Sequence, residues 1–354
     1  STTYRYDSRG QLTQAYNLNN DSNTYAYSYD KRGNITRSDY RSSSPNVGLI
    51  NRNMYTYNSA IPDELSSVAM KVGDSYTTRN YTYDAIGNPI SIMDSNETSN
   101  SGKNLSWKQG KRLGEVEFVV DGNVTKAYSY YYDESGRIKK IDQGSGNYIK
   151  YHYDSDNLEY EEHYANNSLS YLIKYFYDDQ DRVQFALYKN RNFSISEGSY
   201  NLYTYVYNGL GEITDIVKVR NGLSPSASSI SNLPVAHYEY DPYGNIVSIN
   251  TYNDDTFGNI NPIRYKAYYY DTDLGWYNLG SRYYDPSVGR FINCDNIGVI
   301  NNNVSDIENK NLYAYCNNNP VMYYDDGGDV PVIIVYMLVS GIVNVAIDHT
   351  CAII

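Results

Sequence analysis

The sequence predicts an all-β protein, a spiralling antiparallel sheet of β-hairpin repeats finished by a compact C-terminal module. Three observations predict it. The unit Tyr-x-Tyr-Asp-x-x-Gly-Asn/Arg-Ile/Leu recurs from Tyr4 to Ile246. Tyrosine occurs 45 times in 354 residues, against 6 Phe and 2 Trp. From Asn261 onward the texture changes, and denser aromatic segments rich in Asp, Asn and Pro replace the repeat.

The copies follow in order. Tyr4-Arg5-Tyr6-Asp7 leads to Gly10 and Leu12, and Tyr27-Ser28-Tyr29-Asp30 leads to Gly33 and Ile35. Asp84 with Gly87, Asp133 with Gly136 and Asp241 with Gly244 mark three more intact units. Worn units lie between them. Asn58 has lost the glycine, Asp154 is followed by Asn157, Asp178 has Asp181 in the glycine place, and Asn208 stands for the aspartate before Gly211. A variant with Trp107, Gly110 and Leu113 fills the gap before Asp133.

Each unit reads as a hairpin. Tyr at i and i+2 share one face of a strand. The Asp opens a turn, because its carboxylate accepts from backbone N–H groups two or three residues on. A Gly three residues later suits a positive φ, as in a type I turn followed by a bulge. One hairpin cannot bury its own face, so neighbours pair edge to edge into a sheet that twists and coils. Asp7, Asp30, Asp84, Asp133 and Asp241, with Gly10, Gly33, Gly87, Gly136 and Gly244, are therefore read as corner residues and not as catalysts. Tyrosine packs its ring while its hydroxyl seeks water or a partner. A tyrosine-paved inner face meeting solvent or cargo, around an empty centre, is the expectation. The polar stretches Ser42 to Val47, Ser95 to Lys103 and Ser224 to Leu233 read as loops between hairpins.

Composition excludes several functions. A net charge of −12 and the lack of a Lys/Arg stripe argue against nucleic acid. The four histidines are scattered and no Cys-x-x-Cys spacing exists, so neither a metal nor a cofactor is expected. P-loop, dinucleotide and Gly-x-Ser-x-Gly fingerprints are missing too. Three cysteines, Cys294, Cys316 and Cys351, give no disulfide framework. A Cys294 nucleophile with His349 as base has only the residue types in its favour. The chain opens Ser1-Thr2-Thr3-Tyr4 without Met and reads as starting inside a repeat, with any leader upstream.

The C-terminal module carries two specific motifs. One is Arg282-Tyr283-Tyr284-Asp285-Pro286-Ser287-Val288-Gly289-Arg290-Phe291, the other Asn311-Leu312-Tyr313-Ala314-Tyr315-Cys316-Asn317-Asn318-Asn319-Pro320. Together with the tyrosine–aspartate repeats they resemble the RHS/YD-repeat family, and Pro262 to Gly328 resembles its RHS repeat-associated core domain. That family includes bacterial polymorphic toxins, toxin-complex C components and teneurins. The resemblance implies a partial shell over 1–260, a plug over 261–328 and the start of a variable region over 329–354. It implies a role in encapsulating the chain's own C-terminal toxin segment, outside a bacterial cell or on its surface. Upstream shell chain and an immunity protein are the implied partners.

The resemblance also implies self-cleavage of an aspartyl type. Arg282 and Asp295 map onto the family's Arg and Asp, with Asp325 and, as an accessory, Asp285 as further carboxylates. The cleavage region maps to Gly328, Asp329 and Val330. The sequence departs from the family there, because Asp326 replaces proline and Asp329 replaces an apolar residue. Two added carboxylates weigh against cutting through desolvation and repulsion. The bland reading of Arg282 and Asp295 is a structural ion pair in the plug. Residues 330–347 carry no charge, and a membrane enters only through this stretch. An adhesin with an outward aromatic groove, and a non-functional fragment, are the competing readings.

Overall fold

A computed structural model describes residues 2–17, 24–41, 49–96, 99–190, 200–221, 230–253, 255–295, 311–325, 327–328 and 331–333. The first part is one sheet of 20 strands, from Thr2–Tyr6 to Ile246–Thr251. Every strand pairs antiparallel with the next in the chain.

The corners explain the meander. Asp7 Oδ1 accepts from the backbone N–H of Arg9 and of Gln11, both at 2.9 Å. The carboxylate thus reaches two and four residues on. Asp30, Asp84, Asp178 and Asp241 repeat this grip, and Asn208 does it with its amide oxygen. At Asp133 the N–H of Arg137 donates in the same way. Gly87 sits at φ +80° and Gly136 at φ +87°, a region that disfavours side chains. Asp181 occupies the same place at φ +57°. A one-residue register shift adjoins each intact corner, between Arg5 and Tyr6 for example.

The second tyrosine of each unit ties hairpins together. Its hydroxyl donates to the backbone carbonyl that opens the preceding hairpin's return strand. Tyr29 reaches Leu12 at 2.6 Å, Tyr57 reaches Ile35 at 2.8 Å and Tyr132 reaches Leu113 at 2.8 Å. Tyr83, Tyr153, Tyr177, Tyr207 and Tyr240 continue the series, and the Trp107 indole N–H takes the same role on Pro89 at 2.7 Å. The ladder between Leu65–Val72 and Ser75–Tyr83 begins at Ser67↔Asn80, short of Leu65 and Tyr83. The phenol completes the pairing that the diverging backbones leave unmade.

The sheet curls until its second and last hairpins meet. Tyr29 and Tyr243 share a hydroxyl hydrogen bond of 2.7 Å, and the Tyr27 ring lies 4.8 Å from that of Tyr243. Residues 257–333 follow as short pieces: the helical turn Phe257–Ile260, a four-stranded sheet from Tyr269–Asp271 to Arg290–Phe291, and the hairpin Tyr323–Asp325 with Pro331–Ile333.

Three expectations are corrected. The inner tyrosines do not face an empty centre. Tyr130, Tyr203 and Tyr238 are fully buried, and they pack with Trp276, Tyr283, Phe257 and Ile263 of the following segment. The physical reason is that rings gain more from aromatic cover than from solvent. Two of the polar stretches also enter the sheet. Pro89–Ser95 and Asn100–Lys108 form a hairpin, and Ile230–Tyr240 is a strand, because backbone pairing does not require apolar side chains. Ser42 to Val47 lies outside the described residues. Lastly, corner carboxylates bond two and four residues on, not two and three. Among the described residues Thr2–Tyr6 has a strand partner on one side, Leu12–Asn17.

Candidate functional site

The C-terminal segment is bonded to the sheet corner by corner. Asn319 Nδ2 donates to Gly10 O at 2.9 Å, Asn318 Nδ2 to Gly33 O at 2.7 Å and Asn311 Nδ2 to Asn34 Oδ1 at 2.6 Å. Arg290 donates to Asp63 O, and the Tyr313 hydroxyl to Gly87 O at 2.9 Å. On the far side Tyr265, Tyr284 and Tyr277 donate to the carbonyls of Pro242, Tyr243 and Gly244. Cys316, Asn317 and Asn318 all adopt positive φ, which aims the asparagines at the corners. The run Asn317-Asn318-Asn319 is the sequence signal, since Asn tolerates this conformation best among residues with a Cβ.

Within the segment lies a buried charge cluster. The Arg282 side chain is 4% exposed. Its Nη2 lies 3.3 Å from Asp295 and 3.8 Å from Asp325, whose side chains are 7% and 1% exposed. Arg282 Nη1 donates to Leu312 O at 3.1 Å, and the guanidinium lies on the Phe291 ring. Nε donates to the carbonyl of Gly328. A short loop presents that carbonyl. Gly328 N–H donates to Asp325 Oδ1 at 2.7 Å, and Ser281 N–H to Gly327 O at 3.1 Å. The Tyr268 hydroxyl accepts from the Asp325 N–H at 2.8 Å. Gly328 has φ +78°, and a Cβ there would stand 2.8 Å from Ser281 Oγ. One guanidinium facing two desolvated carboxylates gives a cluster whose carboxylates compete for a single cation.

Of the residues selected from sequence, Arg282, Asp295, Asp325 and Gly328 come together. Asp285 is engaged elsewhere. Its Oδ2 lies 3.3 Å from Arg79 Nη1, and Ser287 N–H and Oγ bond Oδ1. Arg79 also chelates Asp94, so Asp285 anchors the segment to the sheet. Asp326, Asp329 and Val330 lie outside the described residues. Cys294 is buried and its thiol donates to Ile86 O; His349 is outside the described residues, as is most of 330–347. No helix among the described residues is long and apolar enough to cross a membrane. Sequence reasoning missed Tyr268, Ser281 and Arg79, which carry no motif of their own.

Beside the cluster a cavity of about 710 Å³ opens between the segment and the corners at 109–112, 135–138 and 156–158. Arg282, Asp295, Ser281, Tyr283, Lys111 and Arg137 are among the residues that line it, and Lys111 Nζ donates to Cys294 O at 2.7 Å. It connects the ion-pair cluster with the rim of the sheet.

No protein-family model matches the chain. The chain is 28% identical over 298 residues to a tRNA3(Ser)-specific nuclease WapA of Bacillus spizizenii, covering 75% of this chain and 11% of that protein. It is 30% identical over 236 residues to a tRNA(Glu)-specific nuclease WapA of Bacillus subtilis subsp. natto, covering 66% and 9%. Salivary gland surface protein 1 of Aedes aegypti is 33% identical over 110 residues, 31% of this chain and 3% of that protein. The chain thus spans about a tenth of the length of its Bacillus relatives. Among solved structures, a Photorhabdus luminescens Tc holotoxin pore aligns with TM-score 0.49 at 19% identity, over 94% of this chain and 18% of that one. The crystal structure of TcdB2-TccC3 aligns with TM-score 0.46 at 19% identity, over 92% and 18%.

Proposed function

We propose that this chain is the C-terminal part of an RHS-type toxin polypeptide, with 1–260 as shell wall, 261–328 as plug and 329–354 as the first residues of the enclosed segment. The observation that carries the reading is the corner-by-corner bonding of the plug to the hairpins, from Gly10 to Gly244. Such a plug closes one end of a curled sheet. Similarity to the long WapA nucleases supports a toxin role, although tRNA cleavage belongs to those whole proteins. The tyrosine rows face inward under the plug, which favours enclosure over an outward binding groove. In this reading the partners are the chain's own C-terminal segment, upstream shell chain and an immunity protein, and the assembly works outside a bacterial cell or on its surface.

The same reading makes the Arg282 cluster a self-cleavage site. Arg282 Nε already donates to the Gly328 carbonyl, at the edge of the region marked for cutting. A guanidinium placed there steadies negative charge developing on a nearby carbonyl oxygen. Asp295, beside the cavity, is positioned to activate water, and Asp325 to orient the loop through Gly328 N–H. Intact mass of the purified protein beside Asp295→Asn tests this. The expected result is a wild-type product ending near Asp329 that the variant lacks. Uncut wild-type protein would leave Arg282 and Asp295 as a structural pair and the shell role standing alone.

A further inference from the structure

We infer that the sheet itself completes the cleavage site: Lys111 and the corner at Ile86 and Gly87 hold the peptide unit that precedes Asp295, so the cut waits until the plug has seated on these corners. The inference rests on the self-cleavage reading and adds a condition to it.

Cys294, the neighbour of Asp295, is fastened by every polar group it owns. Its N–H donates to Gly87 O at 3.4 Å, its thiol donates to Ile86 O at 3.1 Å, and its carbonyl accepts from Lys111 Nζ at 2.7 Å. All three partners belong to the sheet. Two corners provide them, at 84–88 and 109–112. The buried Asn88 joins these corners, because its Nδ2 donates to Gly110 O at 2.7 Å. The plug adds Tyr313, whose hydroxyl donates to Gly87 O at 2.9 Å.

The carbonyl of Cys294 and the N–H of Asp295 share one planar peptide unit. Lys111 grips the oxygen end, and Leu312 O accepts from the nitrogen end at 2.9 Å. Leu312 O also accepts from Arg282 Nη1 at 3.1 Å. One half of this grip therefore lies in the plug and travels with Arg282, while the other half lies in the sheet. A plug away from its corners keeps the bonds to Leu312 and loses those that fix the backbone beside Asp295 from the other side.

In the proposed cut, water adds its oxygen to the scissile carbonyl carbon while Asp295 takes the proton. The C–N bond then breaks, and the proton passes to the leaving amine. A base does this only within hydrogen-bond reach of the water, and a misplacement of about 1 Å costs on the order of a hundredfold in rate. Lys111 touches neither the water nor the scissile bond. It is a positioning residue that acts through the peptide unit of Asp295. The consequence is an order of events, in which the enclosed segment is freed only behind a closed end.

Cell-free synthesis of the full chain, stopped and then sampled over time by intact mass, reads the rate of the cut. Lys111→Met removes the donor and keeps the stem, and it is expected to slow the cut by roughly tenfold to a hundredfold. Lys111→Arg returns a donor and is expected to recover part of the rate. Tyr265→Phe also removes one bond between plug and corner, at Pro242, and is expected to cut at the wild-type rate. Equal slowing in Lys111→Met and Tyr265→Phe would mark a merely structural effect and overturn the inference, as would an unslowed Lys111→Met. If Lys111→Met does not unfold cooperatively, Cys294→Ala serves instead. It drops the bond to Ile86 O and must slow the cut, and an unaltered rate overturns the inference equally. Uncut wild type defeats the self-cleavage reading and the inference with it, whereas cut wild type beside an unslowed variant defeats the inference alone.

Discussion

Single residues in this protein acquire meaning from the corner they serve. The phenol of Tyr132 donates to Leu113 O where the two hairpins stop pairing through their backbones. Tyr132→Phe keeps the ring and removes that bond, and denaturant unfolding is expected to show a loss of about 1 kcal/mol. The glycines divide by what faces them. Gly10 and Gly87 share a left-handed backbone, φ +78° and +80°. A Cβ on Gly10 meets nothing within 4 Å, whereas one on Gly87 would stand 2.6 Å from the Tyr313 hydroxyl and 3.1 Å from Cys294 Sγ. Gly10→Ala is expected to cost about 1 kcal/mol of backbone strain. Gly87→Ala is expected to cost at least twice that in the same measurement, because the plug must also move.

Between elements, the decisive contacts are those that fasten the C-terminal segment to the sheet. Arg79, on the strand Ser75–Tyr83, holds Asp285 of the segment and Asp94 of the neighbouring strand. Asp285 is 1% exposed, so removing its cation leaves a buried charge. Arg79→Met is expected to lower stability by about 3 kcal/mol, and pairing it with Asp285→Asn to recover much of the loss. A double-mutant cycle by chemical denaturation reads the coupling. The proposed chemistry sits on the same scale, since Arg282 and Asp295 bracket the strand pair Tyr283–Asp285 and Arg290–Phe291. Packing of that pair sets the distance between the two side chains.

At the scale of the whole molecule, the sheet lacks a core of its own. Its inner tyrosines are covered by residues from beyond the sheet, including Phe257, Tyr265, Trp276 and Tyr283. Ending the chain after residue 260 is therefore expected to yield a species that binds an apolar dye, unfolds without a sharp transition and self-associates. Light scattering and dye fluorescence would show it, and a monomeric, cooperatively folding 1–260 would contradict the account. The same dependence explains the long-range bonds: Asn319 must return to Gly10 for the curl to close.

Much of the fold was legible because its chemistry is local. An aspartate, a glycine three residues on and two alternating tyrosines act within nine residues, and backbone geometry alone turns them into a hairpin with a bulge. Repetition then compels a meander, since each strand's nearest free edge belongs to the next. Even the worn corners obey, because Asn208 and Asp181 supply an amide oxygen and a tolerated left-handed backbone. Where a side chain meets a distant one, local chemistry is silent. Nothing in the repeat distinguishes Gly87 from Gly10, yet a Cβ on the first would meet Tyr313 and Cys294 and one on the second nothing within 4 Å. Nothing in the motif around Arg282 says that its Nε will find Gly328 or that Asp285 will turn to Arg79. Tertiary packing decided those matters, because the surroundings of a charged or aromatic group depend on which surfaces close over it.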